Sequence, residues 1–316
     1  MIGLVKKIIE HNWKKKYQIT VAIPTYNRLD NLLLVLNTLS LSEDTDFGVI
    51  ILDNASEKIN YNKLKKNVIN YKFGLRLYSN SYKIGPDENI IRVTELSDDS
   101  GWVYLLGDSK LPVINIISIL KQEISILSDD EKAILFSFDH IHSINYTVNS
   151  LNEFFDLKIK FGDFLLVGNS IINKSVFSLN YDNAYKLNLS RSVLPIFNLL
   201  NLSSGGSLRI SKHKIIQNAI EKPKHYNPGL SLLECWYSFP MLCILPLKRN
   251  HRKKINKMIL NNEKFKDYLI FIKYCLLKIF KEKKNISQEL YLILKFRYLY
   301  CFFSIEKFFI IPLLII

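Results

Sequence analysis

The feature that most constrains the fold of this chain is an alternation of short apolar runs with amphipathic segments, which continues to about residue 140. The apolar runs mostly lack the strict alternation of a half-exposed strand, and they predict strands buried on both faces of a parallel sheet. The predicted strands cover residues 19–23, 49–52, 75–78, 102–106 and 133–138. Strands and helices in this order predict an open, doubly wound α/β sheet.

Helical periodicity fills the segments between the predicted strands. In LDNLLLVLNTLS the leucines recur at helical spacing, and Asp30 near its start is suited to cap the first turn. A second helix is predicted over residues 86–96, where Pro86 stands in the first turn and acidic residues follow it. A third is predicted in VINIISILKQEI. The loops that follow the strands should then lie along one edge of the sheet, where ligands of such folds bind.

Four of these strand-end loops carry motifs. They are PTYNR at residues 24–28, DNAS at 53–56, NSYKIG at 80–85 and GDSK at 107–110. Read in order as IPTYNR, LDNAS, an Asn-x4-Gly-x3-Asn pattern and LLGD, they resemble the family 2 glycosyltransferases of GT-A fold, over roughly residues 17–180. Within that family the likeness is to bacterial O-antigen and capsule glycosyltransferases of the abequosyltransferase-like group.

The resemblance implies a GT-A-like, Rossmann-related sheet that binds a nucleotide-sugar donor. It implies that Pro24 and Tyr26 line the pocket for the nucleotide base. It also implies that Asp53 hydrogen-bonds the base or the ribose, and that Asp108 reaches the ribose or a metal ion. The remaining donor-binding candidates come from the same motifs and are Asn54, Lys83, Gly85 and Asn89.

Each motif also has an ordinary structural explanation. Asp53 is suited to an Asx turn at a strand end, and Tyr26 to half-buried packing. Asn80 and Gly85 are suited to a tight turn. The occurrence of all the motifs in one order favours the donor site over these explanations.

The GDSK loop departs from the family pattern at the metal site. Mg²⁺ or Mn²⁺ prefers oxygen ligands, and the loop supplies one carboxylate, Asp108, where the family usually has two. Ser109 is a weak neutral ligand, and the Lys110 ammonium repels a cation. Three alternatives stay open: Lys110, with Lys83 or Arg191, stabilises the diphosphate without a metal; a metal is still used; or the protein does not catalyse.

The sequence departs from the family pattern a second time at the motif that supplies the general base. In inverting members of the family it is an acid near the acceptor hydroxyl. SLNYDNAYKLNLSRSV, which corresponds to the family's base motif, has Ser-Arg-Ser at residues 190–192 where a pair of acids is expected. By elimination, Asp182 and Asp139 are the candidates for the general base, and Glu234 ranks after them. Each of these residues also suits a surface or helix-capping carboxylate.

Two further segments follow residue 150. GNSIINKSVF resembles a family segment beneath the donor site, in which Asn169 and Lys174 meet the acceptor or a phosphate. As a pattern alone it is an apolar strand followed by a polar turn. Another turn is predicted at Ser203–Ser207.

The charge balance limits the partners. A net charge of +14 and a pI near 9.4 favour a polyanion, which can be nucleic acid, anionic lipid or a phosphorylated small molecule. No nucleic-acid-binding motif accompanies the basic residues, so we expect no nucleic-acid partner. The lysine- and aromatic-rich end suits an anionic membrane surface, and it equally suits a helical subdomain packed on the sheet.

Four widely spaced cysteines indicate neither a disulfide framework nor a zinc site. The first residues lack the apolar stretch of a signal peptide, and we expect a cytoplasmic protein that is peripheral at the inner face of the cell membrane. The predicted organisation has three parts. They are a basic N-terminal segment at 1–16, a GT-A-like domain at 17–245 with a donor half to about 140 and an acceptor half after it, and a basic, aromatic-rich helical appendage at 246–316.

The sequence as a whole predicts a glycosyltransferase. It would move a hexosyl or deoxyhexosyl group from a nucleotide sugar to a surface polysaccharide or a lipid-linked oligosaccharide. The alternative is a catalytically inactive GT-A-like protein that binds nucleotides or serves as a scaffold in an envelope-assembly complex.

Overall fold

The computed structural model describes residues 5–14, 16–57, 60–97, 100–136, 145–157, 167–186, 193–219, 247–251 and 253–254. Its strands are β1 (Val5–His11), β2 (Tyr17–Thr25), β3 (Gly48–Asp53), β4 (Gly74–Asn80), β5 (Ser100–Leu105), β6 (Lys110–Pro112), β7 (Glu131–Phe136), β8 (Tyr146–Val148), β9 (Ser170–Asn173), β10 (Ser207–Ser211) and β11 (Ile216–Ala219). Its helices are α1 (Leu29–Ser40), α2 (Tyr61–Val68), α3 (Pro86–Glu95), α4 (Ile116–Ser125), α5 (Leu151–Asp156), α6 (Lys174–Lys186) and α7 (Val193–Ser203).

Nine of the described strands form one mixed sheet in the order β1-β4-β3-β2-β5-β9-β7-β10-β8. Strands β4, β3, β2 and β5 run parallel to one another, and β10 runs parallel to β7. Strand β9 is antiparallel to both of its neighbours. The prediction of a doubly wound, mostly parallel α/β sheet is confirmed. Strands β6 and β11 form a separate antiparallel pair.

The central strands are buried on both faces, as their apolar runs predict. All 6 residues of β3 are buried. Ile50 belongs to a core cluster that includes residues of α3, α6 and α7, whereas Ile51 belongs to a second cluster with residues of α1, α2 and α4. Because successive side chains of a strand point to opposite faces, one strand takes part in two cores.

The first helix coincides with its prediction except at its cap. Helix α1 covers LDNLLLVLNTLS, and the complete burial of Leu32 and Leu36 explains the leucine spacing. Asp30 is not the cap: Arg28 is the N-cap residue, it makes no side-chain capping bond, and Asp30 lies within the first turn. Helix α3 begins at Pro86, as predicted.

The polar turn expected after β9 is wrong, because α6 begins at Lys174. The Lys174 side chain is buried, and its Nζ donates to the carbonyl oxygen of Thr94 at 2.6 Å and to the hydroxyl of Tyr181 at 2.7 Å. Thr94 lies in the last turn of α3, where carbonyl groups lack partners within the helix. Lys174 therefore caps α3. The turn at Ser203–Ser207 is confirmed, since it joins α7 to β10.

Strand β1 lies in a segment where no strand is predicted. It pairs antiparallel with β4 at the edge of the sheet, and Arg76 Nε donates to the Glu10 carboxylate at 2.8 Å across the pair. Lys6 and Lys7 are exposed along this strand. Charged residues on an edge strand discourage pairing with a further strand.

Within the described residues, no helix has both the length and the hydropathy that a membrane span requires. The helical appendage predicted at 246–316 lies outside the described residues, apart from 247–251 and 253–254. Asp139, Arg191 and Glu234 also lie outside them.

Candidate active site

The candidate site lies where the strand order reverses. From β2 the sheet extends to β3 and β4 on one side and to β5 on the other. Such a reversal opens a crevice beyond the carboxyl ends of the two central strands, where ligands of open α/β sheets bind. Thr25 at the end of β2 pairs with Asp53, and Asp53 pairs with Ser79 of β4. The strand ends therefore meet at one edge, as predicted.

Asp108 lies just beyond β5, and its contacts cross the switch point. Its side chain is 6% exposed. One carboxylate oxygen accepts from the Thr25 hydroxyl at 2.8 Å, the other from Nη1 of Arg28 at 2.9 Å, and the Tyr26 backbone N–H donates as well. Burial raises the pKa of Asp108 above its ordinary value, although Arg28 and Thr25 act in the opposite direction. The carboxylate thus ties the end of β5 to the end of β2.

The GDSK residues form a turn that contains both Asp108 and Lys110. The backbone N–H of Lys110 donates to the Gly107 carbonyl at 3.1 Å. Lys110 then opens β6 and pairs with Ala219 of β11, and its side chain is half-buried. Helix α4 begins only at Ile116. Lys110 is therefore not at the start of a helix, and it shares a tight turn with Asp108.

Asp53 is fully buried and saturated by its own chain. Its carboxylate accepts from the Ser56 hydroxyl, from the Ser56 backbone N–H at 3.0 Å, from the Tyr61 hydroxyl at 2.7 Å and from the Ser79 hydroxyl at 3.2 Å. Burial raises the pKa of Tyr61 to about 12, and the bond to Asp53 adds to the rise. These contacts are those of the strand-end turn, and the predicted bond from Asp53 to a base stays a prediction.

Ser56 joins the loop after β3 to the loop after β2. Its hydroxyl donates to Asp53 and accepts from the backbone N–H of Asn27 at 2.7 Å. Two residues of these loops, Asn27 and Ala55, have a positive φ of 55°. A non-glycine residue in this conformation costs on the order of 1–3 kcal/mol, and such residues cluster at functional sites. Both residues lie in loops that follow neighbouring strands at the switch point, and a third residue with a positive φ, Asn12, lies just beyond β1.

The Asn-x4-Gly-x3-Asn pattern builds a buried amide network. Asn80 Nδ2 donates to Asn54 Oδ1 at 3.1 Å and to Asn89 Oδ1 at 2.9 Å. The Asn54 side chain bonds both the N–H and the carbonyl of Ile84, each at 2.9 Å. Arg92 donates to Asn80 at 3.3 Å from α3. Asn54 and Asn89 are therefore occupied in holding the loop between β4 and α3 against the end of β3.

That loop carries Lys83 and Gly85 to the mouth of the site. The Lys83 ammonium is 4.5 Å from the centroid of the Tyr26 ring, which is a cation–π distance. Tyr26 and Pro24 are half-buried. A Cβ at Gly85 would meet no atom within 4 Å. The structure thus brings together Pro24, Tyr26, Lys83, Gly85, Asp108 and Lys110.

Asp182 does not lie with the residues of the candidate site. Its side chain is exposed on α6. Its helix neighbour Tyr185 donates to Glu95, the last residue of α3, at 2.7 Å. Helix α3 has 10 residues, so its last residue lies about 13–14 Å from its first. Among the described residues, no contact joins Asp182 to the Asp108 turn.

The described residues do not fit a divalent cation. Both oxygens of Asp108 already accept hydrogen bonds, one of them from a guanidinium. The following residues are Ser109 and Lys110, which add no carboxylate. Within the described part of the chain, no group of three or more His, Cys, Asp or Glu side chains is placed to hold a metal ion. The metal role implied for Asp108 finds no support in this geometry.

Sequence reasoning missed four polar residues of this edge. Thr25 and Arg28 lie in the PTYNR motif, Ser56 ends the DNAS motif, and Tyr61 follows it. Their positions inside motifs were a signal, because a strand-end loop that binds a ligand needs residues that hold it in place. The partner of Thr25 and Arg28, however, is Asp108, which lies 83 and 80 residues further along the chain.

No protein-family model matches the sequence, and no curated protein matches it significantly. Solved structures do match. S. aureus TarS 1–349 in complex with UDP-GlcNAc is 13% identical, with a TM-score of 0.55 over 81% of this chain and 79% of that chain. Mannosyltransferase PcManGT from Pyrobaculum calidifontis, in complex with GDP-Man and Mn²⁺, is 10% identical, with a TM-score of 0.52 over 89% and 86%.

Both of these neighbours are GT-A glycosyltransferases. The chain has the GT-A fold. In a longer TarS structure, with 14% identity and a TM-score of 0.54, this chain spans 44% of that chain's length. Identities this low establish the fold, and the function must be argued from the site.

Proposed function

We propose that this protein is a glycosyltransferase that moves a hexosyl or deoxyhexosyl group from a nucleotide sugar to a saccharide acceptor. The observation that carries the proposal is the buried Asp108 at the switch point of a GT-A sheet, bonded by the backbone N–H of Tyr26, with Lys83 over the Tyr26 ring and Lys110 in the same turn as Asp108. A crevice with an aromatic ring and several cations suits a base followed by a diphosphate. The neighbours that bind UDP-GlcNAc and GDP-Man support it.

The Tyr26 ring is the proposed stacking surface for the nucleotide base, next to Pro24. The Lys83 ammonium covers one face of the ring, so a base would use the other face. We assign Asp53 and Asn54 to shaping the pocket, because their polar atoms already bond to the protein. Gly85 leaves open space beside the pocket, and a side chain there would obstruct the donor.

The Lys110 ammonium is the proposed partner of the leaving diphosphate, together with Lys83. A fixed positive charge in a partly dry site stabilises developing negative charge without the cost of reorganising water. This would make the reaction independent of a divalent metal. Lys110→Ala should then lower turnover strongly and leave the free energy of unfolding nearly unchanged.

The acceptor is proposed to be a growing surface polysaccharide or a lipid-linked oligosaccharide of the O-antigen or capsule type. The net charge of +14 supports attraction to an anionic membrane, and the lysine- and aromatic-rich segment at 246–316 would supply the contact. The protein would then act at the inner face of the cell membrane. No nucleic acid is expected as a partner.

The test is calorimetric titration of the purified protein with UDP, GDP, CDP and dTDP, each in EDTA and in Mn²⁺. We expect one nucleotide to bind in EDTA, with little change when Mn²⁺ is added. Binding that requires Mn²⁺ would reject metal independence. Failure of all the nucleotides under both conditions would reject the glycosyltransferase.

A second function, nucleotide binding without transfer, is favoured by the position of Asp182. The described contacts of its helix lie at the far end of α3, so it is poorly placed to act as a base at Asp108. A scaffold of this kind would bind its nucleotide, and would release no sugar from the matching nucleotide sugar with any acceptor. Measurable turnover would exclude it.

A further inference from the structure

Arg28 forms an ion pair with Asp108, and the sequence analysis gave Arg28 no role in the site. Its Nη1 donates to the Asp108 carboxylate at 2.9 Å, while its side chain stays 34% exposed. It precedes α1 directly and makes no capping bond to that helix. A guanidinium carries five N–H donors in a rigid plane, and this contact uses Nη1 alone. The guanidinium is thus fixed at one end, while part of the side chain remains exposed.

Asp108 is well placed to fix the plane of the Arg28 guanidinium. The Thr25 hydroxyl and the Tyr26 backbone N–H hold the carboxylate from the β2 side. With its 6% exposure, the carboxylate has little freedom to turn. An arginine held by a rigid, buried carboxylate loses less conformational entropy when it binds a second anion. The arrangement is that of an oriented cation rather than a surface ion pair.

We propose that Arg28 is the binding group for the donor diphosphate, and that Asp108 is its positioning residue rather than a metal ligand. The proposal rests on the proposed function, because it names the phosphate contact of the same site. The misfit between Asp108 and a divalent cation supports it. A single carboxylate with both oxygens bonded leaves poor coordination for a metal, but it suits a guanidinium.

The neighbouring charges agree with an anion in this place. Lys110 lies in the same turn as Asp108, and Lys83 lies over the ring of Tyr26, whose backbone N–H bonds to Asp108. Asp108, the buried carboxylate just beyond β5, is already paired with Arg28, so it repels an incoming phosphate only weakly. A planar guanidinium can bond two phosphate oxygens at once, which an ammonium cannot.

The test compares anions with an uncharged nucleoside by calorimetry in EDTA. The titrants are inorganic pyrophosphate, the four nucleoside diphosphates and the matching nucleosides. Arg28→Gln should weaken pyrophosphate and diphosphate binding by about 10- to 100-fold, the range for charged hydrogen bonds, and leave nucleoside binding unchanged. Arg249→Gln removes the same charge from an exposed site and should change none of these affinities by more than about twofold.

Two further variants separate positioning from other roles. In Arg28→Ala, added guanidinium ion should restore part of the pyrophosphate affinity, which a purely structural defect would not allow. Asp108→Asn should weaken diphosphate binding and spare the nucleoside, with the fold checked by circular dichroism. Equal weakening of the nucleoside would make Asp108 a ribose contact and overturn its positioning role.

The outcomes keep the two proposals apart. If nucleotides bind equally to the wild type and to Arg28→Gln, the anion site is wrong and the glycosyltransferase stands. If no nucleotide binds but pyrophosphate binds through Arg28, the glycosyltransferase is wrong and the anion site stands. Binding of neither nucleotide nor pyrophosphate rejects both.

Discussion

Gly48 of β3 lies directly opposite Gly74 of β4, at the amino ends of the two strands. The absence of side chains here makes room for aromatic rings. A Cβ at Gly74 would stand 2.0 Å from the Tyr17 hydroxyl oxygen, and a Cβ at Gly48 would stand 2.8 Å from the Trp13 ring. Aromatic packing therefore fills the amino edge of the sheet beside these strands, while the candidate site lies at the carboxyl edge.

We predict that Gly74→Ala destabilises the protein. The new methyl group would overlap the Tyr17 hydroxyl, which bonds to the Asn12 carbonyl and the Lys14 N–H and cannot withdraw freely. Overpacking of this kind costs about 1–3 kcal/mol, measurable by urea unfolding. Gly107→Ala is the matched control, since a Cβ there would come no closer than 3.6 Å to another side chain, which is ordinary van der Waals contact. An unchanged urea midpoint for Gly74→Ala would contradict the packing.

A second prediction concerns the lysine that caps α3. Lys174→Met keeps most of the aliphatic length but removes the bonds from the ammonium to the Thr94 carbonyl and the Tyr181 hydroxyl, while the Thr94 carbonyl keeps the backbone N–H of Ser97. Hydrogen bonds from a charged group contribute about 1.5–3 kcal/mol, and we expect the free energy of unfolding to fall by about that amount. Lys72→Met, at an exposed position, should be nearly neutral. Equal urea midpoints for the two variants would show that the cap contributes nothing.

The sequence predicted those elements whose stability comes from a local pattern. The leucines of α1 repeat at helical spacing, and β3 is apolar up to its last residue, so both elements can be recognised from the sequence alone. Strand β1 does not, because charged residues interrupt it and its pairing partner β4 lies far along the chain. The start of α6 was missed for the same reason, since Lys174 is stabilised there by the end of α3.

The sequence predicted which loops form the candidate site, but not the contacts that their side chains make. Parallel strands bring their carboxyl ends to one edge, and that rule gathered the motifs correctly. The partner of each side chain was not predictable, because Asp53 is saturated by Tyr61 and Ser79, and Asp108 by Thr25 and Arg28. Which polar atoms remain for a ligand depends on such distant contacts, which no spacing encodes.

Tyr61→Phe tests the contact that holds Asp53. At neutral pH it removes a donor from a buried carboxylate, so we expect a loss of about 1–3 kcal/mol of unfolding free energy. The wild-type advantage should shrink as pH rises above 10. The reason is that the pKa of Tyr61 is raised to about 12 in the fold, so the folded state holds this proton more tightly than the unfolded state does.

The measurement for Tyr61 is urea unfolding of both proteins at pH 8 and at a pH above 10. Tyr82→Phe serves as the control, because Tyr82 is 52% exposed and should show no difference at either pH. A Tyr61→Phe deficit that stays constant with pH would mean that the hydroxyl does not titrate as its burial requires.

Asp182→Asn decides whether the exposed carboxylate of α6 is the general base. A general base contributes about 10²- to 10⁴-fold to the rate. Because the contacts of α6 lie at the far end of α3, we expect Asp182→Asn to keep turnover within about threefold of the wild type. Asp139→Asn is measured beside it, since Asp139 is the other candidate. A loss of 10² or more in Asp182→Asn alone, with nucleotide affinity intact, would restore Asp182 as the base and require α6 to reach the donor site.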